Sequence, residues 1–114
     1  MPSKEYYFEQ IAKEFATARE ALQSGNDGKA RVCSRRATGH AIRWFLEKHS
    51  EKKWGADAMN QLSHLRDDAS FPVNVRDAAT RLTTKISDRF TYPFTTNPID
   101  DAQCIITHIS TLME

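Results

Sequence analysis

The chain of 114 residues is predicted to be all-α, an antiparallel bundle of four main helices and one short helix. Apolar residues recur every three or four positions along most of the sequence, which is the period of an amphipathic helix. Only 4 glycines and 4 prolines punctuate the chain, which favours a few long elements over many short strands. The length is that of one domain, so residues 1–114 are interpreted as a single unit.

The first helix is predicted over about residues 4–24, and residues 24–28, Ser-Gly-Asn-Asp-Gly, then interrupt its pattern. Gly25 suits the left-handed backbone that often closes a helix, and Asp27 suits the N-terminal cap of the next one. The stripe predicted to face inward is Phe8, Ile11, Phe15, Ala18 and Leu22.

The second helix is predicted over about residues 28–50. Cys33 falls on its apolar stripe and Cys104 on that of the last helix, so both are predicted to be reduced, buried thiols. Ile42 and Leu46 lie on the far side, which predicts a second cover from the rest of the fold or from a partner subunit. The main stripe is Ala30, Cys33, Ala37, Ala41, Trp44 and Phe45.

Three further helices follow: a short one over about residues 56–69, a fourth over about 72–90 and a last one from Asn97 to the end. Pro72 suits the first position of the fourth helix, and Asn97 suits the cap of the last. The side chains predicted to face inward are Met59, Leu62 and Leu65, then Val75, Ala79, Leu82, Ile86 and Phe90, then Ala102, Ile105, Ile106, Ile109 and Leu112.

Charge is unevenly distributed along the chain. Residues 29–53 hold eight lysines and arginines against two glutamates, a local charge of +6 in a chain whose net charge is +1. No apolar run approaches the ~18 residues of a membrane span, and the charged N-terminus lacks the core of a secretory signal. A cytoplasmic protein is therefore predicted. A metal site is not predicted, since no histidine or cysteine pair has ligand spacing together with a third partner, and no cofactor is predicted either.

His40 falls within the apolar stripe of the second helix. On a helical wheel Arg36 lies about 40° and Arg43 about 60° from it, whereas Arg35 lies about 140° away. Partial burial and two guanidinium groups both disfavour the imidazolium ion, so the pKa of His40 is predicted to be lowered. A neutral imidazole could act as a general base and the arginines could hold a phosphate, with Arg31 as a further ligand-binding candidate. The alternative is a core histidine beside a solvated edge of arginines.

The succession of helices resembles the HEPN superfamily of compact helical-bundle domains. The likeness covers most of the chain. It rests on a first helix with spaced alanines (AKEFATAREAL), the turn SGNDGKA, and a second helix that runs from small to large apolar residues (CSRRATGHAIRWFLEKH). The break DRFTYP and the last helix IDDAQCIITHI complete it.

The resemblance implies a homodimer that binds RNA or a nucleotide. Many such domains are metal-independent endoribonucleases, or toxins paired with a nucleotidyltransferase antitoxin, whose active motif is an arginine followed after four to six residues by a histidine. Arg35 with His40 and Arg43 with His49 match that spacing, although in the second helix rather than in the later helices typical of the family. Helix geometry favours Arg36 over Arg35 as the partner of His40.

Three hypotheses about function follow. The first is a dimeric module that binds RNA or a nucleotide through the basic second helix. The second is an endoribonuclease that needs no metal, with His40 as base and Arg36 or Arg35 stabilising charge on the phosphate. The third is a non-catalytic interaction protein whose basic helix meets an acidic partner, such as a nucleotidyltransferase.

Overall fold

The computed structural model describes residues 2–84, 94 and 96–114 of the chain. Secondary structure within these residues is entirely helical, which confirms the predicted all-α fold. The helices are α1 (Lys4–Gln23), α2 (Asp27–Glu47), α3 (Ala58–Asp67), α4 (Val73–Thr83) and α5 (Pro98–Leu112). None of them is both long and apolar enough to cross a membrane.

Two local features form the turn between α1 and α2: a glycine with a left-handed backbone and an N-terminal cap. Gly25 takes the left-handed conformation predicted for it, with a φ of 78°. The cap of α2 is Asn26 and not the predicted Asp27, because the Asn26 side chain accepts the Lys29 backbone N–H at 3.1 Å. Asp27 becomes the first helical residue instead, where its negative charge faces the positive end of the helix dipole.

The other end of this hairpin is held by Tyr7, near the start of α1, and Glu47, the last residue of α2. The buried Tyr7 hydroxyl donates to Glu47 Oε1 at 2.5 Å. Burial and then this carboxylate raise the pKa of Tyr7 to about 12. The contact joins the beginning of α1 to the end of α2, so the two helices run antiparallel.

α2 lies at the centre of the bundle and packs against α1, α3 and α5. α2 packs on both sides because it has two apolar faces. Ile42, on the side opposite the main stripe, is fully buried by the rest of the fold. Cys33 is buried and Cys104 partly buried, and both are free thiols whose pKa is raised by burial.

α3 and α4 correct two details of the prediction. Met59 is 37% exposed rather than inward, since its Sδ accepts a hydrogen bond from Arg35 Nη1 at 3.3 Å on the outside of the bundle. α4 ends at Thr83, well short of residue 90, and Thr84 has an extended backbone. The Thr83 and Thr84 hydroxyls bond back to carbonyls of the preceding turn, and threonine has low helix propensity. Residues 85–93, which include two predicted stripe positions, lie outside the described residues.

The start of α4 and the last turn of α5 each differ from the prediction in one detail. Pro72 caps α4 instead of opening it, whereas Asn97 caps α5 as predicted and accepts the Asp100 N–H at 2.8 Å. Leu112 is 47% exposed, because α5 extends past the core at its last turn. Arg81 of α4 pairs with the buried Asp101 of α5 at 2.8 Å.

Candidate functional site

A cavity of about 310 Å³ lies where α2 passes the middle of α1 and the beginning of α3. We call it the α2 cavity. Four residues of α2 line one side of it at helical spacing, and α1 supplies a carboxylate. Its lining consists of Glu14, Arg36, Gly39, His40, Arg43, Ala56, Asp57, Ala58 and Gln61.

Gly39 allows α3 to come this close to α2. A Cβ atom at this position would lie 3.1 Å from the Ala58 Cβ, tighter than ordinary van der Waals contact. The lack of a side chain therefore brings the first turn of α3 against the backbone of α2, one residue before His40. Residues of α3 complete the cavity for this reason.

His40 lies between an arginine and a glutamate. Arg43 Nη2 is 2.7 Å from His40 Nδ1, and a guanidinium group can only donate, so Nδ1 accepts and the ring proton is on Nε2. His40 Nε2 lies 3.8 Å from Glu14 Oε2, an ion-pair distance too long for a direct hydrogen bond. The side chain of His40 is 14% exposed and lines the cavity.

The pKa of His40 is lowered from its ordinary value, as the sequence predicts. Burial is the larger cause and the positive charge of Arg43 the second, while Glu14 acts in the opposite direction. The imidazole is therefore neutral at pH 7. The charges around the cavity then balance, with Arg36 and Arg43 against Glu14 and Asp57.

Arg36 and Asp57 differ in how far they are engaged elsewhere. Arg36 is exposed and makes no ion pair with any residue that the structure describes, so its guanidinium is available to a ligand. Asp57 caps α3, and its Oδ2 accepts the Asn60 N–H at 3.0 Å. The positive charge of Arg36 is therefore less neutralised by nearby carboxylates than the equal numbers of positive and negative groups indicate.

Two other candidate residues lie away from the cavity. Arg35 is turned towards Met59 and Asp57, and burial lowers the pKa of its guanidinium. Arg31 is only 7% exposed and does not line the cavity. Arg36 and not Arg35 therefore accompanies His40, in agreement with helix geometry and against the five-residue spacing of the resemblance.

Sequence reasoning missed three polar lining residues, the helix cap Asp57 and the two residues Glu14 and Gln61. Glu14 sits one position before the buried Phe15, on the edge of the α1 stripe, and such an edge carboxylate facing a basic helix could have been noticed. Gln61 is 1% exposed in the interior of α3, where a polar residue gives no periodic signal. Contact between helices, not spacing within one, brings both residues to His40.

No protein-family model matches the chain, and no curated protein or solved structure is significantly similar to it. Among the described residues, no group of three histidine, cysteine, aspartate or glutamate side chains is arranged to hold a metal ion.

Proposed function

We propose that the chain binds a phosphate ester in the α2 cavity, either a free nucleotide or one nucleotide of an RNA strand. The observation that carries the proposal is the convergence of Arg36, His40 and Arg43 on one concave surface. The volume of about 310 Å³ is at the small end of ligand pockets and suits a single nucleotide.

The two arginines supply the affinity for phosphate. A guanidinium group forms paired, charge-assisted hydrogen bonds with phosphate oxygens. Arg36 is unengaged by carboxylates of the described residues, and Arg43 is held only by the neutral His40 ring. A phosphate that draws Arg43 away replaces a neutral acceptor with an anionic one, which favours binding.

The test is binding of a short fluorescent RNA, measured by anisotropy at two salt concentrations. Arg36→Gln and Arg43→Gln should each weaken binding by at least about tenfold, since a hydrogen bond to a charged group is worth ~1.5–3 kcal/mol. Each should also reduce the slope of log affinity against log salt by about 0.7, the value for one single-strand phosphate contact.

Lys53→Gln is the matched control for these variants. It removes one exposed charge from the same basic segment but does not line the cavity. It should leave affinity within twofold. Equal losses in all three variants would mean diffuse attraction to the segment, and no saturable binding by the wild type would remove the proposal.

A second candidate function, a metal-independent endoribonuclease, is favoured by the carboxylate of Glu14 beside His40. Once Arg43 turns to the phosphate, His40 Nδ1 is free to take the proton of a ribose 2′-hydroxyl. The 2′-oxygen then attacks phosphorus, a 2′,3′-cyclic phosphate forms, and the departing 5′-oxygen takes a proton from the imidazolium ion. Glu14 stabilises that imidazolium ion.

Cleavage of RNA in excess chelator tests this second candidate. We expect wild-type cleavage with cyclic phosphate ends, lost in His40→Gln and reduced in Glu14→Gln, with RNA binding retained in both. Equal cleavage by wild type and His40→Gln would exclude His40 from catalysis. Membership of the HEPN superfamily, the homodimer, the nucleotidyltransferase partner and the cytoplasmic location stay predictions.

A further inference from the structure

Gln61 holds a buried hydrogen-bond acceptor at the border of the α2 cavity. The residue is 1% exposed, and its Nε2 donates to the Gly55 carbonyl at 2.8 Å. That bond fixes the orientation of the carboxamide, so Oε1 is the atom on the other side. Oε1 accepts no hydrogen bond from any residue that the structure describes.

A buried carbonyl without a donor is unusual. Most buried side-chain polar atoms in proteins have at least one partner, and one that lacks it loses its hydration without a replacement. The amide of Gln61 cannot simply turn round, since Nε2 would then leave the Gly55 carbonyl. The group is therefore held in a costly state that a ligand could relieve.

The position of Oε1 connects it with the candidate site. It would lie 3.8 Å from a Cβ atom on residue 39, so it faces the bare backbone of α2 at Gly39, next to His40. Gln61 and Arg36 line the same cavity. A molecule whose phosphate rests on the arginines has its remaining atoms within the space that Gln61 borders.

We propose that Gln61 Oε1 accepts a hydrogen bond from the non-phosphate part of the ligand, so that the cavity selects phosphate esters carrying an N–H or O–H donor. The inference rests on the proposed function, since the arginines must first hold the phosphate. Nucleotides fit it, because the base and the ribose both carry such donors. Inorganic phosphate and simple alkyl phosphates do not.

The experiment compares two ligands by calorimetric titration. One is adenosine 5′-monophosphate; the other is purine 2′,3′-dideoxyriboside 5′-monophosphate, which lacks the 6-amino group and both ribose hydroxyls but keeps the phosphate and ring system. Wild type should bind the first at least tenfold more tightly, equivalent to about 1.4 kcal/mol. Equal affinities would overturn the inference.

Gln61→Met separates the acceptor from the packing of the side chain. Methionine keeps a similar length without a carbonyl, so the preference should fall to within twofold while the affinity for the donor-free ligand stays unchanged. An unchanged preference in Gln61→Met would overturn the inference and leave the proposed function standing. If the variant does not fold, as judged by circular dichroism, the wild-type ratio alone decides.

Failure of the proposed function has a different signature. If neither nucleotide nor a five-residue RNA binds wild type, phosphate binding in the cavity is wrong and the proposed role of Gln61 is wrong as well. A five-residue RNA in the same titration distinguishes the source of the ligand. RNA binding more than about tenfold tighter than binding of the mononucleotide indicates that the ligand is an RNA strand. Equal affinities indicate a free nucleotide. Either result supports the acceptor role of Gln61 only if Gln61→Met weakens the binding.

Discussion

Arg43 Nη2 donates to His40 Nδ1 at 2.7 Å, so an arginine occupies the nitrogen lone pair that a proton would need. The same guanidinium is one of the two groups placed to hold a phosphate. Protonation of His40 and departure of Arg43 towards a ligand therefore favour each other. Ligand binding and the charge of His40 are coupled through this one contact.

We predict that RNA binding tightens as pH falls. The pKa of His40 is depressed below 6.5, so the ring is neutral at pH 7 and becomes positive below its lowered pKa. The cavity groups that face it, Arg36, Arg43, Glu14 and Asp57, sum to zero, so protonation makes the site net positive. We expect affinity to rise about five- to tenfold as pH falls from 7.5 through the lowered pKa of His40, an electrostatic gain of ~1 kcal/mol.

A short RNA without a terminal phosphate is the suitable probe, because phosphodiesters do not titrate in this range. His40→Gln serves as the comparison and should bind with little dependence on pH. A wild-type curve that is flat, or that is steep in His40→Gln as well, would contradict the coupling. Anisotropy titrations at constant ionic strength measure it.

Tyr7→Phe should lower the free energy of unfolding by ~1–2 kcal/mol at pH 7, because it removes the hydrogen bond to the Glu47 carboxylate. The wild type should also lose stability as pH rises from 10 towards 12. The folded pKa of about 12 exceeds the ordinary value of 10, so this stabilisation is complete below pH 10 and is lost progressively as pH rises from 10 through about 12.

Tyr6→Phe is the neighbouring control for the tyrosine experiment. Tyr6 is 46% exposed and its hydroxyl makes no hydrogen bond with the described residues, so the substitution should change stability by under ~0.5 kcal/mol. Urea unfolding at pH 7, 10 and 11.5 measures both variants. Equal losses of stability in the two variants would show that the hydrogen bond between Tyr7 and Glu47 contributes nothing to stability.

Arg81→Gln should lower the free energy of unfolding by ~2–3 kcal/mol, because it leaves the Asp101 carboxylate, 2% exposed, without its arginine. Lys13→Gln removes an exposed partner of Glu9 and should cost under ~0.5 kcal/mol. Thermal and urea unfolding of both variants give the comparison. A loss from Arg81→Gln no larger than that from Lys13→Gln would mean that the pair does not hold α4 to α5.

Gly39→Ala should give little net change in stability. Alanine favours the helix by up to ~1 kcal/mol over glycine, but its Cβ would crowd the Ala58 Cβ at 3.1 Å. Adding Ala58→Gly removes the crowding. A double-mutant cycle should therefore show a favourable coupling of ~0.5–1 kcal/mol between the two sites. Strictly additive effects would show that α3 shifts freely away from α2.

Much of the fold could be predicted because it depends on local pattern. The buried positions of α2 recur at helical spacing, and the Asn97 cap and the left-handed Gly25 each depend on a few neighbouring residues. Met59 and the end of α4 could not be predicted from periodicity. They depend on a contact with Arg35 and on threonine hydroxyls that compete for backbone carbonyls.

The candidate site likewise contains residues that could be predicted from one helix and residues that depend on contacts between helices. Arg36, His40 and Arg43 share one helix, so a wheel places them on one edge. Glu14 and Gln61 come from two other helices, and only the packing of α1 and α3 on α2 brings them there. The spacing of the resemblance also indicates Arg35, whose side chain points away because an interval of five places it about 140° from His40 around the helix.

The short connection between α1 and α2 has a consequence for the order of folding. Closing a short loop costs little chain entropy, so we expect helices joined by so few residues to meet early and predict that Glu14 and His40 come together before α3 docks. Gln61 and Asp57 arrive with that later step. We expect the contacts between α2 and α3 to be absent from the transition state for folding, so a ligand that bridges these helices should slow unfolding, barely change the folding rate and make the bound protein kinetically long-lived.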